Sequence, residues 1–500
     1  MKKKINILLA LFAIFFITSC YVDKGNYEYT PVSDIVIGGI EENYSKIAVV
    51  DTLKITPQIT SSYNDRDFEY IWLVYDADNK CDTLSHERNL SYFLTKAPGT
   101  YTIYYYVKNK INGYYVHTRT RLTVVTEYSQ GHYILKETAG NTDMDLLLDD
   151  GRMIPDILLN TQGAALSGAP RSMGILYKRQ LTDPGTLTKT NSNCIGIISY
   201  DKKTSILRIS DMRLIFSHST MFYEAPDDTP YKFYTIYRIN GYMSSSGSYT
   251  TSVNSAGSGI LGLSSGVSGG SDHWGISNKT YGMIYWDKAG SRILYTNNNG
   301  VASIITDKNH ATTDLNYDCL FMGSYKTTVY SLFKDKSTSK LFLYRITTTS
   351  ELKQPEIGSV TEVGTSSGLH TATLFASNER TAQLIYFVNN NKPYYYDVVN
   401  NVEYEMSATG LPGDETITYI SNRFYRNSTP QFDYLTIATY KNGNYKVFMY
   451  NMVGGLPYGE AVRTTSGVGK VKETHYLTAT AYSHFNDFLA GYGMDYGYSR

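Results

Sequence analysis

The sequence predicts an all-β protein, in which an N-terminal β-sandwich is followed by a β-propeller-like domain of about seven blades. A hairpin-like segment recurs at intervals of about 50 residues through the last three quarters of the chain. The composition is that of a strand protein, with 48 Tyr among the 500 residues. After the N-terminal leader, no long segment shows the 3.6-residue apolar periodicity of a helix.

The clearest copy of the repeat runs from Tyr281 to Tyr295, with the sequence YGMIYWDKAGSRILY. Two apolar runs flank the turn-forming residues Asp287 to Gly290, which is the pattern of a β-hairpin. In this copy and four others, the last aromatic residue before the turn is Tyr200, Trp286, Phe333, Phe387 or Tyr440. Weaker copies near residues 135 and 237 bring the count to seven, within a range of six to eight blades. Tyr128–Leu135 and Tyr476–Ala481 are the candidates for closing the ring.

Residues 1–19 have the order of a secretory leader. Three lysines precede an apolar run from Ile5 to Ile17, which is too short to span a bilayer as a helix. The ending Ile17-Thr18-Ser19-Cys20 resembles a bacterial lipobox, which implies that Cys20 becomes the lipidated first residue. An ordinary signal peptide with a chance cysteine is the alternative. Residues 20–30 then form a polar tether.

Residues 31–126 predict a β-sandwich. The strong strand FEYIWLVY, from Phe68 to Tyr75, centres on Trp72, and a second strand with the sequence YTIYYYV follows Pro98-Gly99. Closely spaced strands around one Trp are typical of a sandwich. Because strand side chains alternate, the three tyrosines 104–106 must place rings on both faces of their sheet. The segment resembles the PKD/immunoglobulin-like module, although it lacks the paired cysteines of antibody domains.

The stretch 244–272 is rich in Ser and Gly, and we predict a long mobile loop on one face of the propeller. His273, Trp274, Tyr281 and Trp286 follow it closely and are the candidate ligand- or partner-binding residues. Exposed aromatic rings bind sugar faces and apolar peptide groups at low entropic cost. The alternative for these rings is packing between blades.

The sequence gives little support for nucleic-acid binding, metal or cofactor binding, or a catalytic motif. The 46 basic and 46 acidic residues balance, which argues against nucleic acid as a partner. The nine His are scattered without metal-ligand spacing, so neither a metal nor a cofactor is expected. Matches to GxGxxG at 257–262 and to GxSxG at 266–270 lack the strand-to-helix context that those motifs need. The three cysteines after Cys20 predict buried thiols, and a Cys194–Cys319 bridge stays open.

Taken together, the leader, the tether sequence DKGNYEY at Asp23–Tyr29 and the Trp72 module resemble the PKD-like surface lipoproteins of Bacteroidetes. The resemblance implies a lipid-anchored, outer-membrane protein at the cell surface. It further implies a non-catalytic accessory subunit of a SusC/SusD-like TonB-dependent importer that helps to capture oligopeptides or glycans. The alternative is a propeller-type polysaccharide hydrolase or lyase, since a pair of carboxylates brought together by the fold leaves no mark in sequence. A purely structural subunit of the importer is a third reading.

Overall fold

The computed structural model describes residues 35–182, 189–236, 239–251, 259–276, 283–297, 300–348, 354–425 and 432–477. The predicted all-β class is confirmed, because the described elements are 38 strands, three short 3-10 helices and one α-helix. The helix α1 is Ile157–Gln162, and the 3-10 helices are Asp65–Asp67, Glu127–Ser129 and Gly368–His370. The chain divides into two compact units, of which the first holds Val50–Leu94 and Gly99–Thr123, and the second begins its main run at Val124.

In its described part, the first unit is built from nine strands in three sheets. The strands are β1 Val36–Gly38, β2 Asn43–Ile47, β3 Thr52–Ile55, β4 Gln58–Thr60, β5 Phe68–Tyr75, β6 Cys81–Ser85, β7 Leu90–Phe93, β8 Gly99–Asn109 and β9 Tyr115–Val125. The largest sheet has the order β2-β9-β8-β5-β6, and the pairs β1-β4 and β3-β7 form two small sheets. This is the predicted sandwich, in which one face of the large sheet lines the core.

Trp72 is the central side chain of that core. It is fully buried, its ring centroid lies 4.1 Å from that of Tyr105, and its Nε1 donates to the backbone oxygen of Glu87 at 3.0 Å. A buried Trp needs a partner for its N–H group, and the chain after β6 supplies one. Tyr105 is buried beside Trp72, whereas its neighbours Tyr104 and Tyr106 are only half-buried, as alternation along the strand predicts.

The second unit contains seven successive antiparallel sheets, each the blade of a propeller, which confirms the predicted repeat. Blade 1 consists of β10 Gly131–Thr138, β11 Asn141–Leu147, β12 Met153–Ile154 and the last strand, β38 Lys470–Leu477. Blade 2 consists of β13 Pro170–Thr182, β14 Lys189–Ser199, β15 Thr204–Arg208 and β16 Arg213–Ser217, and blade 3 of β17 Pro230–Ile236, β18 Ile239–Ser244, β19 Gly247–Thr250 and β20 Gly262–Leu263. Blade 4 consists of β21 Trp274–Ile276, β22 Met283–Asp287, β23 Arg292–Thr296 and β24 Ala302–Ile304.

Blades 5 to 7 follow the same plan. Blade 5 consists of β25 Tyr317–Tyr325, β26 Thr328–Asp335, β27 Leu341–Thr347 and β28 Glu356–Val363. Blade 6 consists of β29 Leu374–Ser377, β30 Leu384–Asn389, β31 Lys392–Asp397 and β32 Val402–Glu405. Blade 7 consists of β33 Thr416–Tyr425, β34 Phe432–Lys441, β35 Asn444–Val453, β36 Leu456–Pro457 and β37 Arg463–Val468. The five clear repeat copies are the hairpins between the second and third strands of their blades, whereas the weak copy near residue 237 lies one hairpin earlier.

The two ends of the propeller sequence share blade 1. The last strand, β38, pairs with β10 from Gly131↔Leu477 to Glu137↔Lys470, so it takes the innermost place in that sheet. The segments chosen from the sequence to close the ring are therefore paired, and residues 478–481 lie outside the described range. The chain thus closes the ring with backbone hydrogen bonds, and β38 covers the inner edge of β10.

A buried charge network supports this closing blade. Lys136 Nζ lies 2.7 Å from Asp145 Oδ1 and 2.8 Å from Asp156 Oδ1, and the hydroxyl of Tyr445 in blade 7 donates to Asp145 Oδ2 at 2.6 Å. Asp143 accepts three backbone N–H groups, two of them at the start of α1. Asp143 and Asp145 both lie in β11 and are buried and hydrogen-bonded.

Candidate binding site at the mouth of the propeller channel

The innermost strands of the blades lie side by side around the central axis. Ser172 Oγ on β13 donates to the backbone oxygen of Tyr231 on β17 at 2.7 Å, and Ser377 Oγ on β29 donates to Ser324 O on β25 at 2.9 Å. On the closing strand, the Glu473 carboxylate accepts the backbone N–H of Met173. The contact between Ser172 and Tyr231 brings the starts of β13 and β17 together at one mouth of the central channel, whereas Ser377 and Ser324 lie near the ends of their strands.

Arg171, the second residue of β13, stands at this mouth between two tyrosines. Its guanidinium carbon lies 4.6 Å from the ring centroid of Tyr231 and 5.1 Å from that of Tyr200. Lys472 Nζ, from the closing strand, lies 6.0 Å from the same Tyr200 ring. Tyr200 keeps 54% of its surface exposed, since it stands in the turn after β14. Cations over ring faces form a surface that is both apolar and positively charged.

Asp272 and His273 face this arrangement from the start of blade 4. Asp272 Oδ2 lies 3.9 Å from Arg171 Nη2, and Asp272 Oδ1 lies 3.7 Å from His273 Nε2. Local hydrogen bonds position His273: its N–H donates to Ser271 Oγ at 3.2 Å, and its carbonyl accepts the N–H of Trp286 at 3.1 Å. The side chains of Asp272 and His273 keep 47% and 32% of their surface accessible, so both can reach a ligand.

The electrostatics of the mouth favour a charged Asp272 and a neutral His273. Desolvation lowers the pKa of His273, and although Asp272 opposes this, Lys232 and Lys288 add to it. Desolvation alone would raise the pKa of Asp272, but the positive charges around it outweigh burial and lower that pKa. Because His273 is neutral at pH 7, Lys232 and Arg171 are the cations that hold the carboxylate. Such a site offers fixed donors and flat rings.

Of the described residues that were chosen from the sequence, only His273 lies at this mouth. Trp274 and Trp286 are 5% and 2% exposed and lie in hydrophobic clusters between blades, so the prediction that they form a contact surface was wrong. Trp274 packs 6.0 Å from Tyr234, and Trp286 packs 5.2 Å from Phe333. The reason is that each blade is covered on both faces by its neighbours. Tyr281 and Cys20 lie outside the described residues.

The Ser/Gly-rich stretch 244–272 is not a free loop where the structure describes it, which corrects the second prediction at this site. It contains β19 and β20 of blade 3, and Ser248, Thr250 and Ser271 are buried. Small residues are needed because the chain passes close to other backbone: Gly266 has a φ of +99°, and a Cβ there would collide with the backbone oxygen of Ala302. Residues 252–258 lie outside the described range.

Sequence reasoning missed Arg171, Tyr200, Tyr231 and Lys472. Each lies alone in its local sequence, and only the register of the inner strands brings them together. One signal was available, since Tyr200 ends the first strand of a repeat copy and must stand at a hairpin turn. The strand that pairs with β14 next to this turn is β13, in which Pro170 pairs with Ser199. Arg171 follows Pro170 and therefore lies beside the turn.

The described residues also bear on metal binding, disulfide pairing and membrane-spanning helices. The part of the chain that the structure describes contains no cluster of three or more metal-ligating side chains. Cys194 and Cys319 are buried free thiols in blades 2 and 5, so no bridge joins them, whereas Cys81 is exposed rather than buried. Among the described residues, no helix is long and apolar enough to cross a membrane.

Solved structures with a similar fold include several proteins of low sequence identity. A quinonprotein alcohol dehydrogenase-like protein from Bacteroides thetaiotaomicron has a TM-score of 0.41 at 14% identity, covering 90% of this chain and 99% of its own. The Dos1 propeller has a TM-score of 0.35 at 10% identity, covering 67% and 87%. The dihydro-heme d1 dehydrogenase NirN has a TM-score of 0.34 at 7% identity, covering 81% and 74%.

No curated protein sequence matches this chain significantly. A family model described as the PKD-like family matches residues 20–170, which extend from the predicted lipidation site through the first unit and into the start of blade 2. The N-terminal part of the chain is therefore PKD-like.

Proposed function

We propose that this protein is a non-catalytic, lipid-anchored binding protein of the outer-membrane surface. In this proposal Cys20 carries the lipid, and the protein serves a SusC/SusD-like importer as an accessory subunit that captures oligopeptides or glycans. Support comes from the basic and apolar leader, the lipobox-like ending and the PKD-like N-terminal part. A short apolar run followed by a modified cysteine anchors a protein without a spanning helix.

The observation that carries the binding role is Arg171 held between the rings of Tyr200 and Tyr231 at the channel mouth. Aromatic faces and a guanidinium suit ligands that combine apolar surface with hydroxyl, carbonyl or carboxylate oxygens, as oligopeptides and glycans do. Asp272 is the carboxylate facing them, and its lowered pKa suits it for accepting hydrogen bonds rather than for donating a proton.

The binding role is tested with Arg171→Gln and Tyr200→Ala. Binding of a defined oligopeptide pool and of neutral and acidic oligosaccharides is measured by calorimetry on the full mature chain. For whichever ligand binds the wild type, we expect each substitution to lower the affinity about tenfold, because a charged donor or a ring contact is lost. The matched control is Arg213→Gln on β16, an exposed arginine on the outermost strand of the same blade. Equal effects of Arg171→Gln and Arg213→Gln would contradict this site.

The anchoring role is tested with Cys20→Ala in the native host. We expect the variant to leave the membrane fraction and to lose the acyl mass at its N-terminus. Purification of the wild-type lipoprotein in mild detergent should bring importer subunits with it. Unchanged fractionation of the variant, or a wild-type protein that purifies alone, would contradict the respective part of the proposal.

One observation favours the alternative of a polysaccharide hydrolase or lyase. Burial raises the pKa of Asp433, although Asn422 and Thr381 donate hydrogen bonds to it at 2.7 and 3.2 Å. A raised carboxyl pKa is the property of a general acid. Asn422 also accepts the backbone N–H of Glu379, whose own carboxylate pairs with Arg423 at 2.9 Å. Release of reducing ends from polysaccharides, lost in Asp433→Asn, would favour the enzyme over the binding protein.

A further inference from the structure

The outward face of the five-stranded sheet in the first unit carries a row of aromatic rings. Along this row, the ring centroids of Tyr75 and Tyr104 are 5.4 Å apart, those of Tyr104 and Tyr106 are 6.2 Å apart, and those of Tyr106 and Tyr115 are 6.1 Å apart. The imidazole of His117 stacks on Tyr106 at 5.0 Å with an interplanar angle of 28°. We call these five side chains the ring row.

The ring row borders a shallow, open hollow of about 260 Å³. Its lining is mostly apolar and consists of Glu69, Ile71, Leu73, Tyr106, Lys108 and Tyr115. Tyr115 is 58% exposed, and Ile71 and Leu73 are half-buried on the side of β5 that faces away from Trp72. An exposed apolar surface bounded by polar side chains is typical of a binding site rather than of an unused sheet face.

Positive charges flank the row. The hairpin of β8 and β9 closes where the N–H of Asn109 donates to Tyr114 O. Because side chains alternate along β9, Arg119 and Arg121 continue the face that carries Tyr115. Both arginines are exposed. On the strands β5, β8 and β9 this face therefore carries three cations, the third being Lys108, against one carboxylate, that of Glu69, which lies 3.6 Å from Lys108 Nζ.

We propose that the ring row binds a polysaccharide strand that bears carboxylates. The flat rings suit the apolar faces of successive sugar units, and the excess of cations suits an acidic rather than a neutral chain. A linear, shallow row fits an extended polymer better than it fits a folded protein, which needs about 800 Å² of matched surface on each partner. Because these side chains belong to the first unit, the inference is independent of the channel mouth.

The test is calorimetry on the full mature chain with oligomers of polygalacturonate, and with neutral galactan oligomers of the same length. We expect the acidic oligomers to bind and the neutral ones to bind at least about tenfold more weakly, because the neutral chain makes no charge-assisted hydrogen bonds. Affinity for the acidic oligomers should also fall as salt is raised, since exposed charges are screened.

Two variants and a control locate the site. Tyr115→Ala should weaken binding by about fivefold to tenfold through the lost ring contact. The double variant Arg119→Gln/Arg121→Gln should abolish the preference for acidic over neutral oligomers. Tyr114→Ala is the matched control, because Tyr114 is an exposed tyrosine in the adjoining turn and makes no contact in the ring row; its affinity should stay within about twofold of wild type.

Three outcomes would overturn the proposal. These are no binding of polygalacturonate at millimolar concentration, equal binding of the neutral galactan, and equal losses in Tyr114→Ala and Tyr115→Ala. Circular dichroism of each variant, which should match that of the wild type, separates loss of the site from loss of the fold.

Discussion

Two tyrosine triplets show how differently the two units treat a strand. In the first unit, Tyr105 is buried against Trp72, while Tyr104 and Tyr106 stand on the outward face. In blade 6, the rings of the triplet 394–396 all find apolar neighbours: Tyr394 and Tyr396 pack in one cluster, and Tyr395 packs against the other. A sandwich sheet is covered on one face, whereas a blade is covered on both.

The comparison teaches that rings on an open sheet face or in a hairpin turn stay exposed, whereas most rings on the inner strands of the blades are buried. Tyr200 at the channel mouth is in a turn, and Tyr115 is at the end of a sandwich hairpin. Trp274 and Trp286 are in strands of blades and are therefore buried. Binding surfaces are to be sought in the first two settings.

The largest expected effect concerns the covered face of the first unit. Trp72→Ala removes a fully buried ring and leaves a cavity, which costs about 3–5 kcal/mol of the free energy of unfolding. Denaturant unfolding, with hydrogen exchange to assign the loss to β5 and β8, measures it. A loss below about 1 kcal/mol would contradict the view that this face forms the core of the unit.

The second test compares the triplets directly. Tyr396→Ala in blade 6 should cost about 2–4 kcal/mol, because the ring is 3% exposed and packed between blades. Tyr104→Ala on the outward face of the first unit should cost about 1 kcal/mol or less, because water already reaches that ring. Hydrogen exchange of β31 and β8 reports the two effects separately. Similar losses would break the comparison.

The third test uses pH. Burial, with Arg463 and Arg423 nearby, lowers the pKa of His132 in blade 1 to about 3. The unfolded chain therefore binds this proton at a higher pH than the folded chain, so stability is lost as pH falls below about 6.5 and the loss levels off below about pH 3. At pH 5 the loss amounts to about 2 kcal/mol.

His132→Gln should remove that part of the acid sensitivity, measured as the change in unfolding free energy between pH 7 and pH 5. The matched control is His117→Gln on the outward face of the first unit, which removes an exposed histidine. If both variants flatten the pH profile equally, burial between blades is not the cause.

The smallest effect is expected at the channel mouth. Asp272 has its pKa lowered, so its charged form is stabilised in the fold; this contribution is present above about pH 4 and is lost as pH falls through the folded pKa. Because the side chain is 47% exposed, Asp272→Asn should cost less than about 1 kcal/mol at pH 7. The cost should shrink as pH falls through the folded pKa of Asp272; a larger or pH-independent cost would show that Asp272 is structural.

The sequence revealed the blades because the repeated hairpins are local. Each copy combines apolar runs with a turn that contains Asp, Asn or Gly. The conformation of such a turn is set by its own residues, as at Gly443, which has a φ of +84°. The ring closure was also accessible, since only the two ends of the repeat region remained to be paired. The core role of Trp72 followed from its place in the middle of an apolar strand.

The binding surfaces could not be read in the same way, because they depend on neighbours that are distant in sequence. Trp274 looks exposed beside a Ser/Gly run until blade 3 covers it. The same run looks like a loop, because serine and glycine are also used where two backbone segments pass close to each other, as at Gly266. Arg171 became a candidate only when β14 and β17 placed Tyr200 and Tyr231 on either side of it.

The pairing of β38 with β10 sets an order of assembly for the chain. As the polypeptide emerges from its N-terminus, the first unit and then blades 2 to 7 can form in turn, but β10 keeps an open edge until residues 470–477 arrive. An open strand edge is a site for wrong pairing with other chains. Blade 1 therefore stays open to wrong pairing until the last part of the chain is available, and a chain cut short by a few dozen residues would leave that edge permanently exposed.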